Sequence, residues 1–488
     1  MGYVELGYCI LVLAVALDCA IARAAPYTSA PLAARRPLPF TRFDIGMLAA
    51  FAAFLCFIVT DSLDWRLDAA AVAMFALWSV SFAASTRRRS RAGADETRGA
   101  AIGRRVAGSA GALAAIFSLA AVSVFPIRDL EPPTGPHAVG TASFVVVDGS
   151  RTGVYLDAPG TPRRVMAQAW YPAAPGAEDY PRARWIPDEA LERAYAAYAG
   201  LPALTMSHLS RIRANGRVEA PALGGSPAED GSFPVVILSH GWTGSRTMHA
   251  DLAEELASRG IVAIAVDHPY GALAVAFPDG EVKNLYRGAL PSRSDGVEAF
   301  DRASTFLEET YAADIAAVVG VVRGGRAVPG LEGRLDGGRI ALVGHSTGGG
   351  AALLAAMIAE TAAESAAVSA ATTTESGVVG FLGVVGLDAW VEPIAARLDE
   401  GLATPQLHVG SASWAGGRNA ELLGRLRAAS GEWSETRIPG SGHADFAMLR
   451  YVTSAGSVTG LAGERDGFAF AADVTPLVCD WLEARLSR

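Results

Sequence analysis

The segment that most narrows the possible folds is Ile340-Ala341-Leu342-Val343-Gly344-His345-Ser346-Thr347-Gly348. It is an apolar, β-branched run that passes, through two glycines flanking a serine, into the small-residue stretch from Gly348 to Ala359. Such a run reads as a buried strand, and the Ala-rich stretch as a helix. Together they make the strand–turn–helix in which a G-x-S-x-G serine becomes a nucleophile elbow. Side chains in place of the two glycines would collide with the neighbouring strand and helix. The helix N-terminus favours negative charge developing beside the serine.

The surrounding pattern repeats strand and helix. Strands are expected at Ala142 to Val147, Arg164 to Tyr171, Pro234 to Leu238, Ile261 to Val266, Arg339 to Val343, Val378 to Leu387, Gln406 to Val409 and Glu435 to Ile438. Helices are expected at His249 to Ser258, Tyr311 to Val322, Gly348 to Ala359 and Thr475 to Leu486, with a loop and helical region around the Ala-rich run Glu189 to Ala199. Ala362 to Ser376 is low in complexity and reads as a surface insertion or a frayed helix end. Alternating strands and helices imply a mostly parallel sheet covered on both faces. With the elbow, that is an α/β-hydrolase fold.

A serine hydroxyl needs a general base, usually a histidine held by a carboxylate. On this fold the chain order is Ser, Asp or Glu, then His. Two histidines follow Ser346. His408 lies within an apparent strand and reads as structural. His443, in Gly440-Ser441-Gly442-His443-Ala444-Asp445, lies in a loop after a strand and is the expected base. Asp388 ends the apolar run Gly383 to Leu387, on the same sheet edge as Ser346, and is the expected orienter. Asp399 and Glu400 lie in a more helical stretch, and Asp445 is too close to His443 along the chain. An oxyanion hole needs two backbone N–H donors. Thr347 supplies one. The loop Ser239-His240-Gly241-Trp242-Thr243-Gly244-Ser245 supplies the other, expected at Trp242, whose indole could also wall the acyl pocket. His240 and His345 read as structural hydrogen-bonders, and His268 as a residue lining the cleft.

Residues 1–128 read differently. Hydrophobic residues are 51% of the 488-residue chain and its mean hydropathy is +0.27, high for a wholly soluble protein. Apolar stretches run from Tyr8 to Ala25, Ile45 to Thr60, Ala69 to Ser85 and Val106 to Ile127. A spanning helix needs about 20 mostly apolar residues, so a bundle of about four transmembrane helices is expected. Asp18, in the first, faces other helices or an interface. Arginines crowd the loops after the first stretch (Arg35, Arg36, Arg42) and after the third (Arg87, Arg88, Arg89, Arg91, Arg98, Arg104, Arg105). The positive-inside rule puts these loops in the cytoplasm. The N-terminus and everything after Arg128 then lie outside, as a multi-pass membrane protein with an extracytoplasmic catalytic domain at 141–488. No Lys or Arg precedes the first stretch, unlike a cleaved signal peptide. The Pro-rich run Glu131 to Pro136 reads as an extended linker spanning 129–140.

Composition excludes other classes. A net charge of −9 gives no basis for nucleic-acid binding. Cys9, Cys19, Cys56 and Cys479 make neither a disulfide framework nor metal-ligand spacing. No cofactor and no metal is expected.

The motifs together resemble the plasma-type platelet-activating factor acetylhydrolases and their bacterial relatives. The resemblance is carried by Pro234-Val235-Val236-Ile237-Leu238-Ser239-His240-Gly241 with Ser245-Arg246-Thr247, and by Leu256-Ala257-Ser258-Arg259-Gly260 running into Val266-Asp267-His268. It is carried further by Gly344-His345-Ser346-Thr347-Gly348-Gly349, Leu387-Asp388-Ala389-Trp390, and Gly440-Ser441-Gly442-His443 with Asp445-Phe446. Trp185-Ile186-Pro187 looks like the family's upstream segment, and the likeness covers about Thr141 to Arg488. It implies calcium-independent hydrolysis of short or oxidised acyl chains from phospholipids through an acyl-enzyme. By motif, Ser346, Asp388 and His443 would be the triad and Trp242 and Thr347 the oxyanion donors. Thr347 stands where the plasma enzymes carry an aromatic. This departure, the 362–376 insertion and the four-span anchor bear on acyl specificity. The wider relatives include polyester and small-ester hydrolases. A general esterase for soluble esters, an acyltransferase working through the same acyl-enzyme, and a non-catalytic membrane sensor are the rival readings.

Overall fold

The computed structural model of the chain describes residues 3–21, 64–73, 76–77, 98–224, 231–325, 328–370 and 380–487. They fall into two compact units, Met1–Arg128 and Asp129–Arg488.

In the first unit, helices α1 (Tyr3–Ile21) and α2 (Arg98–Val124) bury Cys9, Val12, Ala16, Ala112, Ala115 and Val122 in a common apolar cluster with Leu67, Ala70 and Leu77. Arg66 is fully buried, paired with Asp64, and donates to the Phe125 carbonyl at 2.8 Å. Among the described residues one helix is long and apolar enough to cross a membrane, over Arg105–Val124, and the apolar part of α1, Gly7–Leu17, is shorter. The described residues therefore hold one candidate span and do not support the expected bundle of four. The second apolar stretch, and most of the third, lie outside the described residues, as do the first two arginine-rich loops' central parts.

The second unit is built on β1 (Val139–Thr152), β2 (Pro162–Pro172), β3 (Arg182–Arg184), α3 (Glu189–Tyr198), β4 (Arg213–Val218), β5 (Phe233–Ser239), α4 (Ala250–Ser258) and β6 (Val262–Val266). Then come the hairpin strands β7 (Ala274–Ala276) and β8 (Val282–Asn284), α5 (Val297–Arg323), β9 (Leu335–His345), α6 (Thr347–Ala370), β10 (Gly383–Leu387), β11 (Gln406–Ser411), α7 (Gly417–Ala429), β12 (Trp433–Ile438) and α8 (Gly467–Leu486). Ten strands form one sheet in the order β12-β11-β10-β9-β5-β6-β2-β1-β4-β3. The run from β12 to β6 is parallel, and β2 joins it antiparallel. Every residue of β5, β6 and β10 is buried. That is why these strands read as unbroken apolar runs: helices cover both faces of a parallel sheet.

The differences from expectation have physical causes. β3 and β4 are arginine-rich and lack the apolar alternation that marks a strand. In α7 the buried residues are Leu422 and Leu426, too few to show a periodic face. α5 begins 14 residues earlier than Tyr311, because its first half is mostly polar. The Pro-rich segment does not hang free as a spacer. Leu130 donates to the Arg213 carbonyl at 2.9 Å, and the N–H and Oγ1 of Thr134 donate to Glu255 at 2.7 and 2.5 Å. Gly135 and His137 donate to Ser258. Of the 362–376 stretch, residues to Ala370 continue α6 and the remainder lies outside the described residues.

His408 sits in β11, stacked on Trp433 with ring centroids 4.0 Å apart. Burial pushes its imidazole down to about 3. The unfolded chain binds a proton there below about 6.5, where the folded chain does not, so stability falls as pH drops from 6.5 toward 3. His408→Phe, which keeps the stack, is expected to flatten that fall by about 1.4 kcal/mol per pH unit. Urea unfolding of the two proteins at a series of pH values between 4 and 7 measures the difference.

Candidate active site

The sheet order reverses between β5 and β9. From β5 the chain moves to β6 on one side, and later returns to place β9 on the other. Ligands of open α/β sheets bind beyond the carboxyl ends of strands at such a switch point. There the strand ends are level: Ser239 pairs with Gly344, and Leu387 with His345. The loops after β5, β9 and β10 therefore converge.

Ser346 occupies the turn at φ +55°. Its N–H donates to the Leu387 carbonyl at 3.0 Å, and its own carbonyl accepts from Gly349, Gly350 and Trp390. The left-handed conformation is costly for a side-chain-bearing residue and survives where surrounding bonds over-determine it. A Cβ on Gly344 would lie 2.1 Å from the Gly348 oxygen, and one on Gly348 would lie 2.4 Å from the Ser239 oxygen. Both elbow glycines are thus required by backbone contact.

His443 and Asp388 meet the serine. His443 Nε2 is 2.9 Å from Ser346 Oγ, and Nδ1 is 3.0 Å from Asp388 Oδ2. A carboxylate only accepts, so the proton sits on Nδ1, and Nε2 is free to accept from the serine hydroxyl. Asp388 itself is fixed: its N–H donates to Val409, and its Oδ1 accepts from the Ser411 N–H at 2.6 Å. The Asp388 side chain is 2% exposed and that of His443 28%. The carboxyl group is shielded from solvent while the His443 ring stays within reach of water.

Thr347 follows the serine in the chain, and Trp242 follows Gly241 in the β5 loop. A Cβ on Gly241 would lie 3.0 Å from Ser346 Cβ, so the β5 loop runs directly against the elbow. No group among the described residues accepts from the N–H of Trp242 or of Thr347. The Trp242 indole is half-buried and packs on the main core.

The other candidates fall elsewhere. Asp399 and Glu400 form surface ion pairs with Arg425 and Arg397. Asp445 accepts from the N–H groups of Gly442 and Gly463, and so braces the His443 loop. His345 faces that loop, with Nε2 3.2 Å from the His443 carbonyl. Burial, with the His443 ring close by, holds the His345 imidazole well below its usual range, so it is neutral. His268 does not line a cleft. It is fully buried between Ser239 and Asp314. Two supports escaped the sequence reading. Trp414 stacks on the His443 ring, centroids 4.0 Å apart and planes 5° from parallel. Asn419, on α7, bonds both Ala389 and Val391 and ties down the loop after Asp388. The only signal for Trp414 was an aromatic among serines beyond a strand end.

The chain matches the sequence profile described as "Platelet-activating factor acetylhydrolase, isoform II" over residues 123–277 and 314–467. It belongs to that family. A platelet-activating factor acetylhydrolase of Cavia porcellus is 23% identical over 308 residues, 59% of this chain and 65% of that protein, just under two thirds of its length. The same-named protein of Canis lupus familiaris is 23% identical over 369 residues, 71% of this chain and 75% of the relative. Among solved structures, a ferulic acid esterase from Streptomyces cinnamoneus superposes with a TM-score of 0.54 at 24% identity, covering 74% of this chain and 93% of that one. The fold is thus that of the α/β-hydrolases, and the family is one of ester-hydrolysing enzymes.

Trp414 is half-buried and touches the base by its ring face. Trp414→Ala is expected to lower kcat/KM for an ester about tenfold by freeing the imidazole, with the thermal midpoint unmoved. Trp414→Phe is expected to retain most activity. Initial rates with a nitrophenyl ester, alongside thermal melts, check both.

Proposed function

We propose that the protein is a serine carboxylic-ester hydrolase acting through an acyl-enzyme. The observation that carries the reading is the bonded sequence Asp388–His443–Ser346, at 3.0 and 2.9 Å, on a left-handed elbow. Ser346 Oγ attacks the ester carbonyl as His443 Nε2 takes its proton. Asp388 stabilises the imidazolium that forms. The N–H groups of Trp242 and Thr347 receive the oxyanion. His443 then protonates the departing alkoxide. Water, deprotonated by His443, releases the acid and restores Ser346.

Lipid or short-acyl esters are the proposed substrates, and the first unit the proposed anchor. The names of the curated relatives support the first. The second rests on the Arg105–Val124 helix, with mean hydropathy 1.8, and on the large apolar residues it turns outward: Val106, Leu113, Ile116 and Phe117 are each more than half exposed. The arginine distribution favours four spans with the catalytic unit outside the cytoplasm. An anchored site would meet its ester at the bilayer surface.

Ser346→Ala is expected to lose labelling by a fluorophosphonate probe and to lower kcat by on the order of 10⁶-fold; Asp388→Asn by about 10⁴-fold. An unlabelled wild type would leave a non-catalytic shell. A chain-length series of nitrophenyl esters, set against oxidised phospholipid in vesicles, is expected to favour the vesicle substrate; the opposite order points to a soluble-ester esterase. Product analysis with an added alcohol is expected to show the free acid, and dominant transfer would make the protein an acyltransferase. Protease added to intact expressing cells is expected to digest the catalytic unit, and protection would reverse the topology.

A further inference from the structure

The β5 loop lies tightly against the elbow at Gly241, where a Cβ would crowd Ser346 Cβ at 3.0 Å and His345 at 3.2 Å. Glycine is also the residue whose backbone turns most freely. The peptide that joins Gly241 to Trp242 carries the proposed oxyanion N–H on its far side. A trans peptide is planar, with C=O and N–H pointing opposite ways. Whatever fixes the Gly241 carbonyl therefore aims the Trp242 N–H.

Two groups fix it: the Gly244 N–H at 3.0 Å and Nδ1 of His240 at 2.7 Å. His240 Nε2 receives the backbone N–H of His268 at 3.2 Å. A backbone N–H can only donate, so Nε2 is an acceptor and the proton stands on Nδ1, pointed at the carbonyl. His268 is held in turn. Its ring lies between Ser239 Oγ, 2.9 Å from Nε2, and Asp314 Oδ2, 3.1 Å from Nδ1, and stacks on Tyr311 with centroids 3.7 Å apart. Arg163 and Arg151 clamp Asp314 at 2.7 and 2.8 Å. Both histidines are buried, and burial pushes the His240 imidazole well below its ordinary range, so the ring stays neutral with its single proton.

We infer that His240, with its tautomer set by the backbone of His268, is a positioning residue that aims the Trp242 N–H at the oxyanion. The inference rests on the serine-hydrolase reading above. It differs from a packing role because its effect is felt when charge develops on the carbonyl oxygen and not when the neutral ester binds.

The test compares wild type, His240→Gln, His240→Asn and Ser346→Ala in the full chain. Asn places an N–H near the Nδ1 position and Gln does not. Kinetics use nitrophenyl acetate, and inhibition an aryl trifluoromethyl ketone. Ser346 Oγ adds to the ketone carbon, the C=O π pair moves to oxygen as an oxyanion, and the hydroxyl proton goes to His443. Rates are normalised to sites titrated with a fluorophosphonate, so that misfolded protein is not counted. His240→Gln is expected to lower kcat about 10- to 100-fold, short of the roughly 10²–10³-fold for outright loss of an oxyanion donor because the Trp242 N–H is misaimed and not removed, and to weaken the ketone by a similar factor, with KM within about twofold. His240→Asn is expected to recover most of both. Unchanged kcat and ketone affinity in His240→Gln overturn the inference. So does a parallel loss of KM, kcat and thermal midpoint that His240→Asn does not repair. Ser346→Ala separates the two levels: turnover or ketone binding retained there removes the serine-hydrolase reading itself, whereas its loss alongside a silent His240→Gln removes the positioning role alone.

Discussion

The structure depends on a backbone contact too close for any side chain. At the elbow, Gly348 approaches the Ser239 and His240 carbonyls so nearly that an added Cβ would stand 2.4 and 2.5 Å from them. This contact joins the end of β9 to the end of β5 across the place where the strand order reverses. It holds the serine turn against the loop that carries Trp242. The cost is a serine at φ +55°, and strain of that kind is of order 1–3 kcal/mol. The parallel core offsets it: β5, β6 and β10 are wholly buried, and the apolar area they remove from water is the main favourable term.

The same level strand ends distribute the remaining parts. β10 delivers Asp388 beside the elbow, and β11 supplies the Val409 carbonyl and Ser411 N–H that fix it. The His443 loop beyond β12 is drawn back across two strands by short polar contacts: Ser413 Oγ accepts from the His443 N–H, and Asp445 braces Gly442. None of these contacts is strong alone, since a hydrogen bond contributes about 0.5–1.5 kcal/mol net. Their effect is positional, each removing one freedom from an imidazole that must point at one oxygen.

This division explains what the sequence disclosed. The buried parallel strands are visible because burial on both faces writes itself as continuous Val, Ile, Leu and Ala. Ser346 and Asp388 are visible because each follows such a run, and His443 because the fold dictates the order and His443 is the histidine in a loop beyond them. β4, as Arg-Ala-Asn-Gly-Arg-Val, and α7, with Leu422 and Leu426 buried, carry too little apolar pattern to announce themselves. The roles of Trp414 and Asn419 are hidden for another reason. They act through contacts with residues distant in the chain, His443 and the loop after Asp388. The Pro-rich 131–136 segment showed its extended backbone in sequence, but not that Glu255 and Ser258 would hold it.

A second constellation shows that triad geometry alone does not identify a site. Ser239, His268 and Asp314 repeat the serine, histidine and aspartate contacts at 2.9 and 3.1 Å, against 2.9 and 3.0 Å for Ser346, His443 and Asp388. All three are buried, and Asp314 already divides its charge between Arg163 and Arg151. The guanidinium of Arg163 and the His268 bond hold the Asp314 carboxyl below the usual range despite the desolvation that opposes them, so its charge is neutralised where it stands. Ser239 is the last residue of β5 and is itself buried. Ser346 is lifted onto a turn, and its histidine is partly exposed while its aspartate is not. What separates the two is therefore access, and a carboxylate held by a backbone N–H in place of two guanidinium groups. One set is closed around its own ion pairs, and the other keeps a histidine that solvent can reach.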